Sequence, residues 1–258
     1  TSPAGITVGA TTTSTPNGSD ISNSIPAAPL VITPDTAFGI PWRGAMVYIN
    51  DLEGKITKIN LTNSTENNAK LFSQTTLFSL NSNIDNARYS YFAMDAGIGV
   101  SKGRFMLFGS TGNFTDLGGR EENMDNILYG VTDPDYPLFK HLNGYTIPKG
   151  SDAQFVPTAL RAADAANSVD NAAVCKNVTG STDFSNCIEG KDAWVVKLGR
   201  DASDNIYLPK TFRKASASPT LFKGQVYFPI YQPPPNDTPC DQGSAFICVS
   251  DDECGYNN

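Results

Sequence analysis

The sequence predicts an all-β fold, a sandwich or a propeller of short antiparallel strands, and three observations lead there. Runs rich in Val, Ile, Tyr and Phe recur at spacings of roughly ten residues, as in all-β domains built from many short strands. Clusters of Gly, Asn, Asp and Pro separate those runs and supply turn chemistry. A helical pattern is nearly absent, with residues 160–173 the one credible helix, favoured by Ala159, Ala162, Ala163, Ala165 and Ala166 nearby.

Taken in order, residues 1–34 are rich in Thr, Ser, Asn and Pro and read as a linker or a segment laid over a neighbour, because Pro26, Pro29 and Pro34 interrupt regular structure. Residues 45–61 then form a hairpin. Asp51 can close the turn through a local hydrogen bond, and Gly54 supplies positive φ; the second arm, 55–61, loosely alternates as a half-buried strand does. A modest apolar run follows at 71–80, and Tyr89 to Met94 is aromatic and strand-like. A second hairpin pairs residues 104–109 with 126–133, both apolar enough to be buried strands, with Gly109 and Gly112 marking the strand-end turn. Residues 133–192 read as a mostly irregular insertion. Strands return at 193–198, 205–208, 218–222, 225–231 and 244–249, with Lys223-Gly224 as a tight turn. The material amounts to about three propeller blades, spread over a domain at 35–258.

Composition narrows the function classes. With 40% hydrophobic residues among 258, the chain can bury a sizeable core. A net charge of -7 repels nucleic acid and anionic membranes at long range. No span has the length of a transmembrane helix, and Thr1 does not open a signal peptide, so the chain is expected to start inside a larger precursor. Only 17% of residues are charged, and a polar surface made mainly of Asn, Ser and Thr suits a secreted or cell-surface protein. Asn-x-Ser/Thr sequences occur at Asn17, Asn60, Asn63, Asn113, Asn177 and Asn236; they would be glycosylation acceptors in a eukaryotic secretory protein, and chance is the better explanation in so Asn-rich a chain.

The five cysteines lie outside thioredoxin-like and zinc-like spacings and read as disulfides. Cys175 with Cys187 closes a loop of about a dozen residues, worth roughly 3 kcal/mol by loop entropy, and Cys240 pairs with Cys254. Cys248 is left over, either as a small buried hydrophobe or as a partner for a segment absent from the chain.

Catalytic constellations are sparse. His141 is the only histidine and has no nucleophile elbow near it, which argues against serine or cysteine hydrolase chemistry and rules out histidine-rich metal sites within the chain. Hard-cation ligands are the remaining candidates: Asp201, Ser203 and Asn205 place oxygens at every second residue, as do Asp133 and Asp135. Turn-forming Asp and Asn account for these runs too, and the first lacks the glycine and bidentate Glu of a helix-loop-helix calcium loop. Paired carboxylates for glycoside hydrolysis are not singled out by any spacing. Trp42, Tyr89, Tyr91, Trp194, Tyr227 and Tyr231 could line a carbohydrate-binding face, or pack between strands.

Five separated motifs coincide with one family. They are Val47-Tyr-Ile-Asn-Asp-Leu-Glu-Gly-Lys-Ile-Thr-Lys-Ile-Asn-Leu, Phe105-Met-Leu-Phe-Gly-Ser-Thr-Gly, Asn126-Ile-Leu-Tyr-Gly-Val-Thr-Asp, Trp194-Val-Val-Lys-Leu and Pro239-Cys-Asp-Gln-Gly-Ser-Ala. In that order they resemble the C-terminal β-propeller domain of the PilC/PilY family of type IV pilus tip proteins. The resemblance implies a modified, quinoprotein-like propeller without enzymatic activity. It implies export through the periplasm to the bacterial cell surface, on a pilus, and a role in pilus assembly, retraction control and adhesion. Its partners would be pilins or minor pilins at the tip, a host or environmental surface ligand, and the remainder of its own propeller. The family's calcium loop ahead of the first hairpin is not recognisable, since residues 32–43 offer only Asp35, and Ser110 interrupts the family's Phe-Gly-Thr-Gly. Two other readings remain at this point: a quinoprotein-like enzyme using pyrroloquinoline quinone, and a structural subunit of an extracellular filament.

Overall fold

Thirteen described strands fall into three antiparallel sheets, with one short parallel pairing at an edge. The computed structural model describes residues 24–33, 44–52, 54–62, 72–80, 88–100, 103–133, 136, 168–170, 193–199, 210–235, 241–253 and 255. Among them the only helical element is a 3-10 turn at Phe114–Asp116.

The first sheet runs in the order β1 (Leu30–Ile32), β2 (Gly44–Asn50), β3 (Lys55–Thr62) and β4 (Phe72–Ser79). Its centre is the predicted hairpin: Asn50 pairs with Ile56 and Ala45 with Leu61 across β2 and β3. The turn closes as its residues demand, with Gly54 at φ 72°, its N–H donating to the Asp51 carbonyl at 2.9 Å, and Lys55 N–H donating to Asp51 Oδ1 at 3.0 Å. Two expectations change here. Leu30–Ile32 lies inside the stretch read as a linker, yet it is an edge strand, registered Leu30 to Tyr48. The second arm is not half-buried, because Ile56, Thr57, Lys58 and Ile59 are all buried, so both of its faces are covered.

The second sheet is ordered β5 (Asp95–Ile98), β6 (Phe105–Ser110), β7 (Ile127–Thr132), β9 (Ala193–Lys197) and β8 (Ser168–Asp170). Its three central strands are continuous apolar runs, the mark of a sheet covered on both faces, and β6 and β7 are buried throughout. Alternation then divides the side chains. Phe105, Leu107, Ile127, Tyr129, Val131, Ala193 and Val195 pack with Met46, Tyr48, Ile56 and Phe78 of the first sheet. Met106, Phe108, Leu128, Trp194 and Val196 pack with Val226, Phe228, Ile230 and Cys248 of the third.

Three expectations in this sheet are corrected. Gly109 is not in a turn: β6 continues through Ser110, and a side chain at Gly109 would collide with the Tyr129 hydroxyl, so the glycine makes room for a cross-strand ring. The strand expected at residues 89–94 lies further on, at Asp95–Ile98, where pairing to β6 overrides the low β propensity of Asp-Ala-Gly-Ile. Within the stretch read as a helix, Ser168–Asp170 is a strand parallel to β9, because a sheet edge offers hydrogen bonds that outweigh local alanine propensity. The rest of residues 160–173, most of the 133–192 insertion and the strand expected at 205–208 lie outside the described residues.

The third sheet has β12 (Gln225–Gln232) at its centre, β13 (Ser244–Asp251) on one side, and β10 (Lys214–Ala215) and β11 (Thr220–Phe222) in line on the other. Lys223 and Gly224, with φ of 51° and 77°, form the expected two-residue turn, both residues in the left-handed region that such hairpins require.

Candidate functional site

Several of the buried polar side chains among the described residues lie where one sheet meets the next. Between the first and second sheets, Lys58 of β3 donates to Asp133 Oδ1 at 2.9 Å and lies 2.8 Å from Oδ2, while the Tyr48 hydroxyl donates to Oδ2 at 2.5 Å. Both charged side chains are buried, at 2% and 0% exposure. Such a pair persists in an apolar interior only because each charge is met by the other and by further hydrogen bonds. Asp133, a candidate cation ligand, has both carboxylate oxygens engaged by the Lys58 ammonium and the Tyr48 hydroxyl. Asp135, Asp201, Ser203 and Asn205 lie outside the described residues. Among the described residues no group of three or more Asp, Glu, His or Cys converges as a metal cluster.

A second polar group lies at the same joint. Asn50 of β2 donates to the Ser90 hydroxyl and to the Phe92 carbonyl. Arg88, 1% exposed, donates from Nε to the Asp125 carbonyl at 2.6 Å, from its guanidinium to Asp125 Oδ2 at 2.7 Å, and to the Leu80 carbonyl at 3.1 Å. It thereby ties the end of β4 to the connection between β6 and β7. Burial pushes the Tyr129 phenol well above its ordinary range, which keeps it neutral.

Between the second and third sheets, Asp95 Oδ2 accepts from Leu221 N–H at 2.7 Å, Ala215 N–H donates to the Thr111 carbonyl at 3.0 Å, and Asn126 Nδ2 donates to the Arg213 carbonyl at 3.1 Å. Trp194 fills the core there with its Nε1–H on the Asp252 carbonyl at 3.0 Å. Asp252 and Glu253 are themselves buried. Burial, then the charges of Asp251 and Glu253, push the Asp252 carboxyl up to about 6, with backbone hydrogen bonds from Val100 and Glu253 opposing.

The remaining sequence candidates divide as follows. Trp194 is a packing residue at the second joint, while Tyr89, Tyr91, Tyr227 and Tyr231 are half-buried; Trp42 and His141 lie outside the described residues. Asn113, the sequon asparagine whose side chain is described, caps the 3-10 turn by accepting from Thr115 N–H. Cys248 is disulfide-bonded, which overturns the expectation that it is the odd cysteine. Cys175, Cys187, Cys240 and Cys254 lie outside the described residues. Sequence reasoning missed both buried lysines, Lys58 and Lys214, since a lysine in a strand reads as a solvent-facing residue. It also missed the exposed apolar residues Ile98, Val100 and Phe222. Val100 and Gly224 approach one another, so the β5–β6 and β11–β12 turns form one neighbourhood on the surface.

The described polar side chains thus join the first sheet to the second and the second to the third, with Val100, Phe222 and Lys223 exposed at hairpin tips.

No family model matches this sequence, and no curated protein matches it. Its fold is similar to a solved structure, the C-terminal domain of Pseudomonas aeruginosa PilY1, with a TM-score of 0.50 at 12% identity over 86% of this chain. The chain spans 50% of the length of that structure. Three sheets stacked face to face, with the second covered on both sides, are the architecture of a partial β-propeller, and the likeness to the PilY1 C-terminal domain is one of fold.

Proposed function

We propose that this chain is the propeller part of a non-enzymatic, type IV pilus-associated surface protein that supports pilus assembly, restrains retraction and contributes to adhesion. The observation that carries the reading is the likeness of its three-sheet fold to the PilY1 C-terminal domain. The ordered hairpin motifs of the sequence support it independently. A binding role rather than a catalytic one suits the way Lys58, Asp133, Arg88 and Lys214 are engaged within the sheet joints. The ligand-facing part would be loops and hairpin tips, with Val100 and Phe222 offering apolar contact and Lys223 lying 5.4 Å over the Phe222 ring. Its partners on this reading are minor pilins at the tip and a ligand on a host or environmental surface, met at the bacterial exterior.

The test is deletion of the encoding gene in its source bacterium, followed by imaging of pili, retraction assays and surface adherence. Fewer or abnormally retracting pili and reduced adherence, restored by the intact gene, are expected. Normal piliation, retraction and adherence in the deletion strain would overturn the proposal.

A further inference from the structure

The connection between β6 and β7 is polar and acidic, with Asp116, Glu121, Glu122 and Asp125 and two adjacent glycines, Gly118 and Gly119. Apolar burial does little to hold such a segment, and its exposed 3-10 turn buries no side chain. Its internal backbone bonds are long, Asp116 N–H to the Asn113 carbonyl at 3.3 Å, Gly119 N–H to the Asp116 carbonyl at 3.3 Å and Met124 N–H to the Glu121 carbonyl at 3.1 Å, and a short internal bond, Thr115 Oγ1–H to Asn113 Oδ1 at 2.7 Å, is local to the 3-10 turn. Cationic side chains from outside hold the rest of it: Arg88 grips Asp125, Lys210 Nζ donates to the Glu122 carbonyl, and the Asp116–Gly119 stretch is met by Lys214. Lys214 Nζ, reaching over from β10 in the third sheet, donates to the Asp116 carbonyl at 2.8 Å and to the Gly119 carbonyl at 2.9 Å.

Several observations show that Lys214 is built in. Its side chain is buried, with a relative exposure of 0%. Gly112 makes the approach possible, because a Cβ there would press into Lys214 Cβ and the Ala215 backbone. Burial pushes the Lys214 amine below its ordinary range, and the attraction of Asp116 and Glu121 offsets part of that cost while Arg120 adds to it. Two converging carbonyls flanked by carboxylates are the oxygen surroundings that a hard cation receives in a protein loop. An ammonium with three N–H donors satisfies the same oxygens.

We propose that the β6–β7 connection is a cation-binding loop whose resident cation is the Lys214 ammonium, supplied by the neighbouring sheet instead of by solvent. Loop order is thereby coupled to docking of the third sheet on the second. It is also independent of free metal, since the bound cation is covalently part of the chain.

The experiment is hydrogen exchange across residues 113–125 in the parent protein and in Lys214→Met and Lys214→Ala variants. In the parent, a chelator is expected to change nothing; loss of protection on chelation would overturn the proposal, because a metal would then be holding the loop. Lys214→Met keeps the apolar stem and removes the charge, and roughly ten- to a hundredfold faster exchange is expected from losing two charge-assisted hydrogen bonds. Parent-like exchange in that variant would assign Lys214 a packing role and overturn the proposal. Lys214→Ala vacates the cage, so methylammonium or calcium is expected to restore part of its protection, and restoration by neither would count against a cation cage. Should Lys214→Met fail to fold, the double variant Asp116→Asn, Glu121→Gln decides, because both positions are exposed. Severalfold faster loop exchange is expected from their lost attraction, and unchanged exchange would overturn the proposal.

Discussion

Lys58 and Asp133 are 75 positions apart in sequence and meet without solvent between the first and second sheets. Bringing both charges out of water carries a large desolvation cost, which their attraction and the Tyr48 hydroxyl offset only while both partners are present. Removing one leaves a buried charge unmatched. Lys58→Met or Asp133→Asn is therefore expected to lower unfolding stability by about 3 kcal/mol, read from urea or guanidinium midpoints. The double variant should lose clearly less than the sum of the two, and strict additivity would show that the pair is not coupled. Asp252 makes the opposite kind of contribution. Its folded-state carboxyl is held up to about 6, above the ordinary 3.8, so the folded protein binds a proton that the unfolded chain releases. Stability from this group is fully present below about pH 4, declines as the pH rises towards 6, and stays low above that. Asp252→Asn is expected to stabilise the protein at pH 7, on the order of 1–2 kcal/mol, and to make little difference near pH 3. Equal melting temperatures of parent and variant at pH 7 would refute this account of Asp252.

At the scale of elements, legibility follows how much of a strand's specification is its own. Phe-Met-Leu-Phe-Gly-Ser, Ile-Leu-Tyr-Gly-Val-Thr and Ala-Trp-Val-Val-Lys are apolar on both faces, and each is a strand of the doubly covered second sheet. The Asp51–Gly54 and Lys223–Gly224 turns were equally readable, because positive φ and local capping are properties of those residues. Besides Ser168–Asp170, read as helix, the strands that escaped reading were short and peripheral. Leu30–Ile32 sits in proline-rich sequence, Lys214–Ala215 has two residues, and Asp95–Ile98 has little β propensity. Their conformation is set by the partner strand, through pairing to β2, β12 and β6 respectively. The buried lysines were illegible for a related reason. An alternating pattern says which side of a strand a residue is on, while only the stacking of a neighbouring sheet decides that both sides are covered and that a lysine must find oxygens inside.

At the scale of the whole molecule, the three sheets meet at two joints, and among the described residues each joint encloses one inaccessible lysine amine: Lys58 at the first and Lys214 at the second. Lys223, at a hairpin tip, is exposed by comparison. An amine-acylating reagent applied to the native protein should therefore modify Lys223 while sparing those two, and peptide mass spectrometry would give the occupancy of each. Along a urea series, whichever of Lys58 and Lys214 becomes reactive first marks the sheet that separates first; simultaneous reaction would mean that the stack opens as a unit. The joints thus carry their own chemical reporters, one for each end of the stack, without any label having to be engineered into the chain.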